Sequence, residues 1–196
     1  MKKISVPFVY GDDFLCIDEV RPGFEWINDT TTIATLKRDG TACAIIDGEI
    51  YARYDAKHGK TPPAGAIPCQ EPDAKTGHWP HWIKCMHDNP QHKMHLAAFE
   101  VLDNSTDRVG PMPNGTYELC GPKINTNREG VSAPTLFRHG ADLCDVARPF
   151  SLGSVREWMT RNTNAEGIVF HGSDGKMAKI TRGYAGFVDD KKRSMK

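Results

Sequence analysis

Thr32-Ile33-Ala34-Thr35-Leu36-Lys37-Arg38-Asp39-Gly40-Thr41-Ala42-Cys43-Ala44-Ile45-Ile46-Asp47-Gly48-Glu49-Ile50-Tyr51-Ala52-Arg53-Tyr54 reads as three strands joined by two turns. The first six residues are dense in β-branched side chains, whose crowded Cβ favours extended backbone. Arg38-Asp39-Gly40 then turns the chain. Thr41–Ile46 and Glu49–Tyr54 are the next two strands. Asp47-Gly48 between them is a two-residue hairpin signal, because both residues tolerate positive φ. Short apolar strands joined by tight turns pair antiparallel, so the class is α+β built around antiparallel sheets.

Outward from this stretch the pattern continues. Residues 56–95 change character: Pro62, Pro63, Pro68 and Pro72 mark a long irregular connection that carries His78-Trp79-Pro80-His81-Trp82. Regular structure resumes at Leu96–Leu102. Gly115–Gly121 reads as a strand. Ser151 can cap a helix over 152–161 that places Val155, Trp158 and Met159 on one face. Gly167–His171 and Met177–Thr181 flank Ser173-Asp174-Gly175 as a second hairpin, which puts Lys179 and Thr181 on one face of its second strand. The expectation is one domain over residues 1–188, with an irregular flap near 56–95 and a mobile basic tail over 189–196.

Composition narrows the function classes. Apolar residues make up 39% of the 196, too many for a disordered chain, and enough for a substantial core. No stretch approaches the roughly 20 apolar residues of a membrane span. The N-terminal segment lacks the apolar core of a signal peptide, which makes a cytoplasmic location the expectation. Six scattered cysteines without a CxxC pair read as reduced thiols. Net charge is zero, but it is unevenly spread. Residues 1–121 hold 12 Lys/Arg against 17 Asp/Glu, and residues 122–196 hold the remaining 13 against 8. The basic second part can supply a phosphate-binding face, and it can equally be ordinary scatter plus the tail.

The chemistry centres on Lys37-Arg38-Asp39-Gly40, a KxDG. By itself this also suits a solvated turn after a strand. Its weight comes from the residues downstream of it. In chain order they are Arg53 on a strand, Glu118 in Tyr117-Glu118-Leu119-Cys120-Gly121, Glu166 in Glu166-Gly167-Ile168-Val169-Phe170, and Lys179 on the next strand. Activating a nucleic-acid end with ATP needs these types of residue. A nucleophile accepts AMP, cations neutralise phosphate, a carboxylate serves a metal, and polar groups grip the ribose.

In that order the chain resembles the covalent nucleotidyltransferase superfamily of ATP-dependent ligases and mRNA capping enzymes. Within it the likeness is to compact 5′–3′ RNA ligases of the vertebrate RNA ligase 1 type. The stretches that carry it are Lys37–Cys43, Ala52-Arg53, Gly77–Trp82, Ile124-Asn125-Thr126-Asn127, His139-Gly140-Ala141 and Glu166–Lys179, across roughly residues 20–187.

The resemblance implies an antiparallel-sheet nucleotidyltransferase (adenylyltransferase) domain of the ATP-grasp-like ligase type, without an OB domain. It implies that Lys37 forms a phosphoramidate with AMP, with Asp39 and Gly40 completing the motif. Arg53 and Glu118 contact ribose and phosphate, Glu166 supports the metal and the nucleophile, and Lys179 neutralises the α-phosphate. Many of these ligases carry a second lysine two places on, where Thr181 stands here; Lys176 is near, at an odd offset from Lys179. The implied cofactors are ATP and Mg²⁺ (or Mn²⁺), and the implied partners are 5′-phosphate and 3′-hydroxyl RNA ends, with no membrane and no obligate protein partner. Asn125, Asn127, Arg128, Arg138 and His139 are the candidate nucleic-acid contacts. A DNA ligase, a capping-type guanylyltransferase and a non-catalytic nucleotide- or nucleic-acid-binding module are the alternatives. Cys69, His78, His81, Cys85, His87, His92 and His95 leave a zinc site open, although their spacing fits no familiar closed pattern.

Overall fold

A computed structural model describes residues 4–11, 13–103 and 113–187. The basic tail expected over 189–196 lies outside the described residues. The strands are β1 (Phe8–Tyr10), β2 (Cys16–Val20), β3 (Ile33–Lys37), β4 (Thr41–Ile46), β5 (Glu49–Ala56), β6 (Ile67–Pro68), β7 (Trp79–Lys84), β8 (Gly115–Cys120), β9 (Thr135–Arg138), β10 (Gly167–His171) and β11 (Met177–Thr181). The α-helices are α1 (Lys93–Asp103) and α2 (Leu152–Arg161). Every pairing between these strands is antiparallel, so the molecule is α+β with antiparallel sheets. Among the described residues no helix is long and apolar enough to cross a membrane.

The chain falls into two compact units, across which the sequence reading drew one domain. Gly40–His139 build the first; Ile4–Asp39 and the segment from Gly140 onward build the second.

The first unit holds a six-stranded sheet in the order β6-β7-β5-β4-β8-β9. Its centre is the hairpin of β4 and β5, which opposes Ile46 to Glu49. Asp47 (φ 50°) and Gly48 (φ 78°) make the turn, both in the left-handed region that matches strand twist. Alternation along the strands sends Cys43, Ile45, Ile50, Tyr117, Leu119 and Leu136 to one face, where they form one buried cluster with Ala98 of α1. Ala42, Ala44 and Trp82 form a smaller cluster on the other face.

The expected irregular flap is partly regular. Trp79–Lys84 is a strand inside this sheet, opposed to β5 from Ala56↔Trp79 to Tyr51↔Lys84. Pro80 has no N–H to give the ladder, yet its carbonyl accepts from the Cys69 N–H at 2.9 Å. His81 is 1% exposed and Trp82 7% exposed, so the end of the aromatic run is sheet interior, while His78 stays exposed. Four prolines disguised a segment that contains a strand, in which Pro80, His81 and Trp82 are buried in succession.

The second unit holds the three-stranded sheet β11-β10-β3 and the β1–β2 pair. The sheet's edges are extended locally, with Thr35 bridged to Leu143 and Ala178 to Ser5. Ala34, Ile168, Phe170, Ala178 and Ile180 form one face and are buried with Leu152, Val155, Trp158 and Met159 of α2. The helix begins as its sequence requires: Ser151 Oγ accepts from the Ser154 N–H at 3.0 Å, and Ser154 Oγ accepts from the Ser151 N–H at 3.0 Å. The sequence reading assigned no element before residue 32 and none over 135–138, where β1, β2 and β9 stand. All three are five residues or shorter.

Candidate active site

In the second unit, two-residue alternation fixes which side chains share a face. Ala34 and Leu36 of β3 point to the core side, so Thr35 and Lys37 point to the other. In an antiparallel ladder opposed residues lie on the same side. Lys37 opposes Gly167, which opposes Thr181; Thr35 opposes Val169, which opposes Lys179. Lys37, Lys179, Thr181, Thr35 and His171 therefore share the face that the core does not occupy. Two strand spacings and one two-residue step separate the Cα atoms of Lys37 and Lys179 by roughly 12 Å. Two lysine stems can converge on one phosphate across that distance.

Glu166 sits one residue before β10, and the Lys37–Gly167 register brings its carboxylate to Lys37. The two form an ion pair, with side chains 22% and 25% exposed. The pair is therefore partly open to solvent. Lys37 Nζ also lies 3.5 Å from the Arg38 carbonyl. Gly167 is a steric necessity. A Cβ there would stand 2.2 Å from the Ile180 carbonyl oxygen and 2.9 Å from Thr181 Cα. Arg38 ties the turn down through Asp142, at 2.9 Å. Asp39 is half-exposed in the bend that follows β3. Lys176 belongs to the hairpin turn, where its ammonium meets Asp174 at 2.6 Å; it precedes β11 and is not brought to Lys37.

The first unit holds the other expected residues. Glu118 of β8 opposes Ala42, and the β4–β5 ladder continues to place Arg53 on the far side of Ala42. Glu118 and Arg53 thus flank one small side chain on one face, roughly 10 Å apart at Cα, two strand spacings. Arg53 is exposed and opposes Trp82. Glu118 Oε1 accepts from the Gly40 N–H at 3.2 Å. Asn125 Nδ2 donates to the Gly40 carbonyl at 2.5 Å. The Gly40 residue is gripped at both its N–H and its carbonyl, and nothing larger than glycine fits: a Cβ would stand 2.2 Å from the Leu119 carbonyl oxygen.

The five candidate nucleic-acid contacts separate. Asn125 holds Gly40, and Asn127 Nδ2 donates to the Val131 carbonyl at 3.0 Å, so both serve the local backbone. Both sit at φ 45°, a region that asparagine tolerates better than most residues. Arg128 is half-buried in the same loop. Arg138 opposes Tyr117, which places it on the sheet face opposite to Glu118. His139 reaches Glu118 instead: its Nε2 lies 2.8 Å from Glu118 Oε2, and its Nδ1 lies 2.9 Å from Thr116 Oγ1.

Sequence reasoning missed Thr35, His171, Thr116 and Asp142. Thr35, 1% exposed, meets His171 Nε2 at 2.8 Å on the Lys37 face. Counting by twos from Gly167 along β10 finds His171. Asp142 lies outside any regular element, and no local pattern marks it.

Cysteine chemistry is disfavoured. All six cysteines are free thiols. Burial pushes Cys85 up to about 11 and Cys144 up to about 12, and raises Cys43 further. These groups stay protonated at neutral pH and are weak nucleophiles. Among the described residues no three His, Cys, Asp or Glu side chains group as a metal site. His78 meets Asp55 at 3.1 Å, His81 Nδ1 lies 2.8 Å from the Trp79 carbonyl, and His92 Nδ1 accepts from the Met86 N–H at 2.9 Å. No protein-family model and no curated protein sequence matches the chain.

Proposed function

We propose that this chain is an ATP-dependent RNA ligase that joins 5′-phosphate and 3′-hydroxyl ends through a lysyl-AMP intermediate on Lys37. The observation that carries the reading is the Lys37–Glu166 ion pair, set on a sheet face that also bears Lys179. A nucleophilic amine, a carboxylate able to take its proton and a cation for the developing phosphate charge are what adenylyl transfer requires. The proposed fold is a nucleotidyltransferase domain of the ligase type, acting on RNA in the cytoplasm.

In the first step Glu166, hydrogen-bonded to Nζ, takes a proton from the Lys37 ammonium, and the neutral amine attacks the α-phosphorus of ATP. The N–P bond forms as the bond to the bridging α–β oxygen breaks; pyrophosphate departs, and the nitrogen's second proton passes to pyrophosphate or solvent. Lys179 offsets charge on the α-phosphate oxygens. Mg²⁺ (or Mn²⁺), when bound with ATP, would offset charge on the phosphate oxygens. One carboxylate plus nucleotide phosphates is an ordinary magnesium set, and Glu166 fits that requirement. The AMP then passes to a 5′-phosphorylated RNA end, freeing Lys37. Attack by a 3′-hydroxyl on that activated phosphate seals the strand and releases AMP.

Incubation with α-labelled ATP and Mg²⁺, followed by denaturing electrophoresis, tests the reading. A labelled protein band is expected with ATP and none with α-labelled GTP. A band with GTP alone makes the protein a guanylyltransferase, and no band with either nucleotide removes the transferase reading. Matched 5′-phosphorylated strands ending in a 3′ ribose or deoxyribose then test the substrate. Preferential sealing of the ribose end is expected, through contacts to its 2′-hydroxyl. Equal sealing removes the RNA assignment alone.

A further inference from the structure

The β1–β2 hairpin of the second unit breaks two local rules at once. Its tip is closed by the Gly11 N–H, which donates to the Leu15 carbonyl at 2.7 Å, and by the Phe14 N–H, which donates to the Gly11 carbonyl at 3.2 Å. A hairpin loop of this kind ends on a residue with left-handed backbone, and glycine takes that conformation without strain. Here the residue is Phe14, at φ 61°. For a bulky aromatic side chain this is an outlier. Burial does not offset it, because Phe14 is 79% exposed. The second departure is on the hairpin's outer face. Cys16 points into the core of the unit, so alternation turns Leu15, Ile17 and Glu19 outward. An antiparallel sheet ordinarily turns polar residues to solvent on such a face. Leu15 is 36% and Ile17 45% exposed instead. Gly11 adds no side chain to cover them; a Cβ there would stand 3.3 Å from Ile17 Cγ2.

Charge decides between occupants of this surface. Residues 8–20 hold Asp12, Asp13, Asp18 and Glu19 and no lysine or arginine. Asp18 is used inside the unit, where its Oδ1 accepts from the Leu152 N–H at 2.6 Å. Asp13 stands beside Leu15, accepting from its N–H at 3.1 Å, and both Asp13 and Glu19 are exposed. A polyanion such as RNA is repelled by this hairpin, and so is a second copy that presents the same face. An apolar surface edged by lysine or arginine is complementary to it in both respects. We propose that the β1–β2 hairpin is a docking surface for another protein. Phe14 anchors in an apolar pocket of that partner, Leu15 and Ile17 cover the pocket's surround, and Asp13 and Glu19 meet its lysine or arginine side chains. Buried aromatic anchors carry much of the energy of such interfaces. The strain at Phe14 fits this role, because the backbone conformation that costs stability in the free chain holds the ring outward. The inference stands on the second unit alone and does not rest on the adenylyl-transfer reading.

The test uses the whole chain and two fluorescent peptides, one alternating leucine with lysine and one alternating leucine with glutamate. Anisotropy titrations are run on the wild type, Phe14→Asn, Ile17→Thr and Glu19→Lys, with melting curves for each. The wild type should bind the lysine peptide saturably and the glutamate peptide far more weakly. Phe14→Asn should weaken binding of the lysine peptide by roughly tenfold or more, the loss of an aromatic anchor. Ile17→Thr and Glu19→Lys should each weaken it by a smaller factor. Asparagine tolerates the left-handed backbone, so Phe14→Asn should melt no lower than the wild type. A wild type that binds neither peptide, or both alike, overturns the proposal, as does a Phe14→Asn protein that binds as the wild type does. A lower melting temperature in Phe14→Asn overturns it too, because the ring would then be serving the hairpin itself. Sedimentation of a wild-type dimer that Phe14→Asn makes monomeric would give the face to a second copy. Binding of a single-stranded RNA oligonucleotide that Phe14→Asn abolishes would give it to nucleic acid. Either result contradicts a protein partner of basic, apolar character.

Discussion

At the scale of single residues, two glycines stand where no side chain fits. Gly40 and Gly167 are needed for room, since a methyl group at either would stand 2.2 Å from a carbonyl oxygen. Gly40→Ala and Gly167→Ala should each cost stability on the order of 3 kcal/mol or more, the range of overpacked or strained interiors. Chemical unfolding would show this as a lower midpoint, and a midpoint within error of the wild type for both would contradict the packing. Adenylylation should depend as sharply on charge. Glu166→Ala and Lys179→Ala should each slow adduct formation by about a hundredfold or more, because in the proposed mechanism each removes a group acting on the transferring phosphate. Near-normal rates in both would mean that this sheet face is not the reacting one. The strand positions of Lys37 and Glu118, and that of Glu166 at the mouth of a hairpin, were legible because strand alternation and hairpin register are local rules. His139 was singled out for a different neighbourhood. Its place beside Glu118 depends on the pairing of β8 with β9, and β9 is only four residues long.

At the scale of elements, α2 and the β4–β5 hairpin were readable for the same reason: each carries its own boundary signal. Ser151→Ala removes one half of the reciprocal cap of α2 and should cost about 1 kcal/mol. For a chain of this size that lowers the melting temperature by roughly 2–4 °C. A Ser151→Ala protein that melts with the wild type would show that the cap contributes nothing measurable, while Ser151→Asp should retain the stability. The strand β7 was hidden because its burial does not alternate and because Pro80 lies within it. Its partner β5 supplies the ladder, and no local signal in Trp79–Lys84 could reveal that. Arg138 shows the converse. Adjacent to His139 in sequence, it is on the opposite face from Glu118 by strand parity, a distinction available only once the strand's limits are known.

At the scale of the whole molecule, the fold class was legible and the division into two units was not. Both units are sheet-based, and the boundaries at Asp39/Gly40 and His139/Gly140 fall inside motifs with no change of composition. Stability should depend on pH in part through the buried base His95. Burial depresses His95 to about 4 in the folded state, and the ring of His92 packed beside it pushes the same way. Below the ordinary histidine range the unfolded chain binds a proton that the folded one refuses. His95 therefore leaves stability untouched above pH about 6.5, and stability falls as pH drops from there toward 4, by up to about 3 kcal/mol. Urea melts between pH 7 and pH 4 should show a shallower loss in His95→Leu than in the wild type, because the variant has no such proton to bind; parallel pH profiles would contradict this. The central claim is that this chain carries AMP on Lys37. Mapping the peptides of protein incubated with ATP and Mg²⁺ should find AMP on the peptide containing Lys37, joined by an acid-labile bond, and no adduct on Lys37→Ala. AMP bound at another residue, or an adduct that survives Lys37→Ala, would contradict the account.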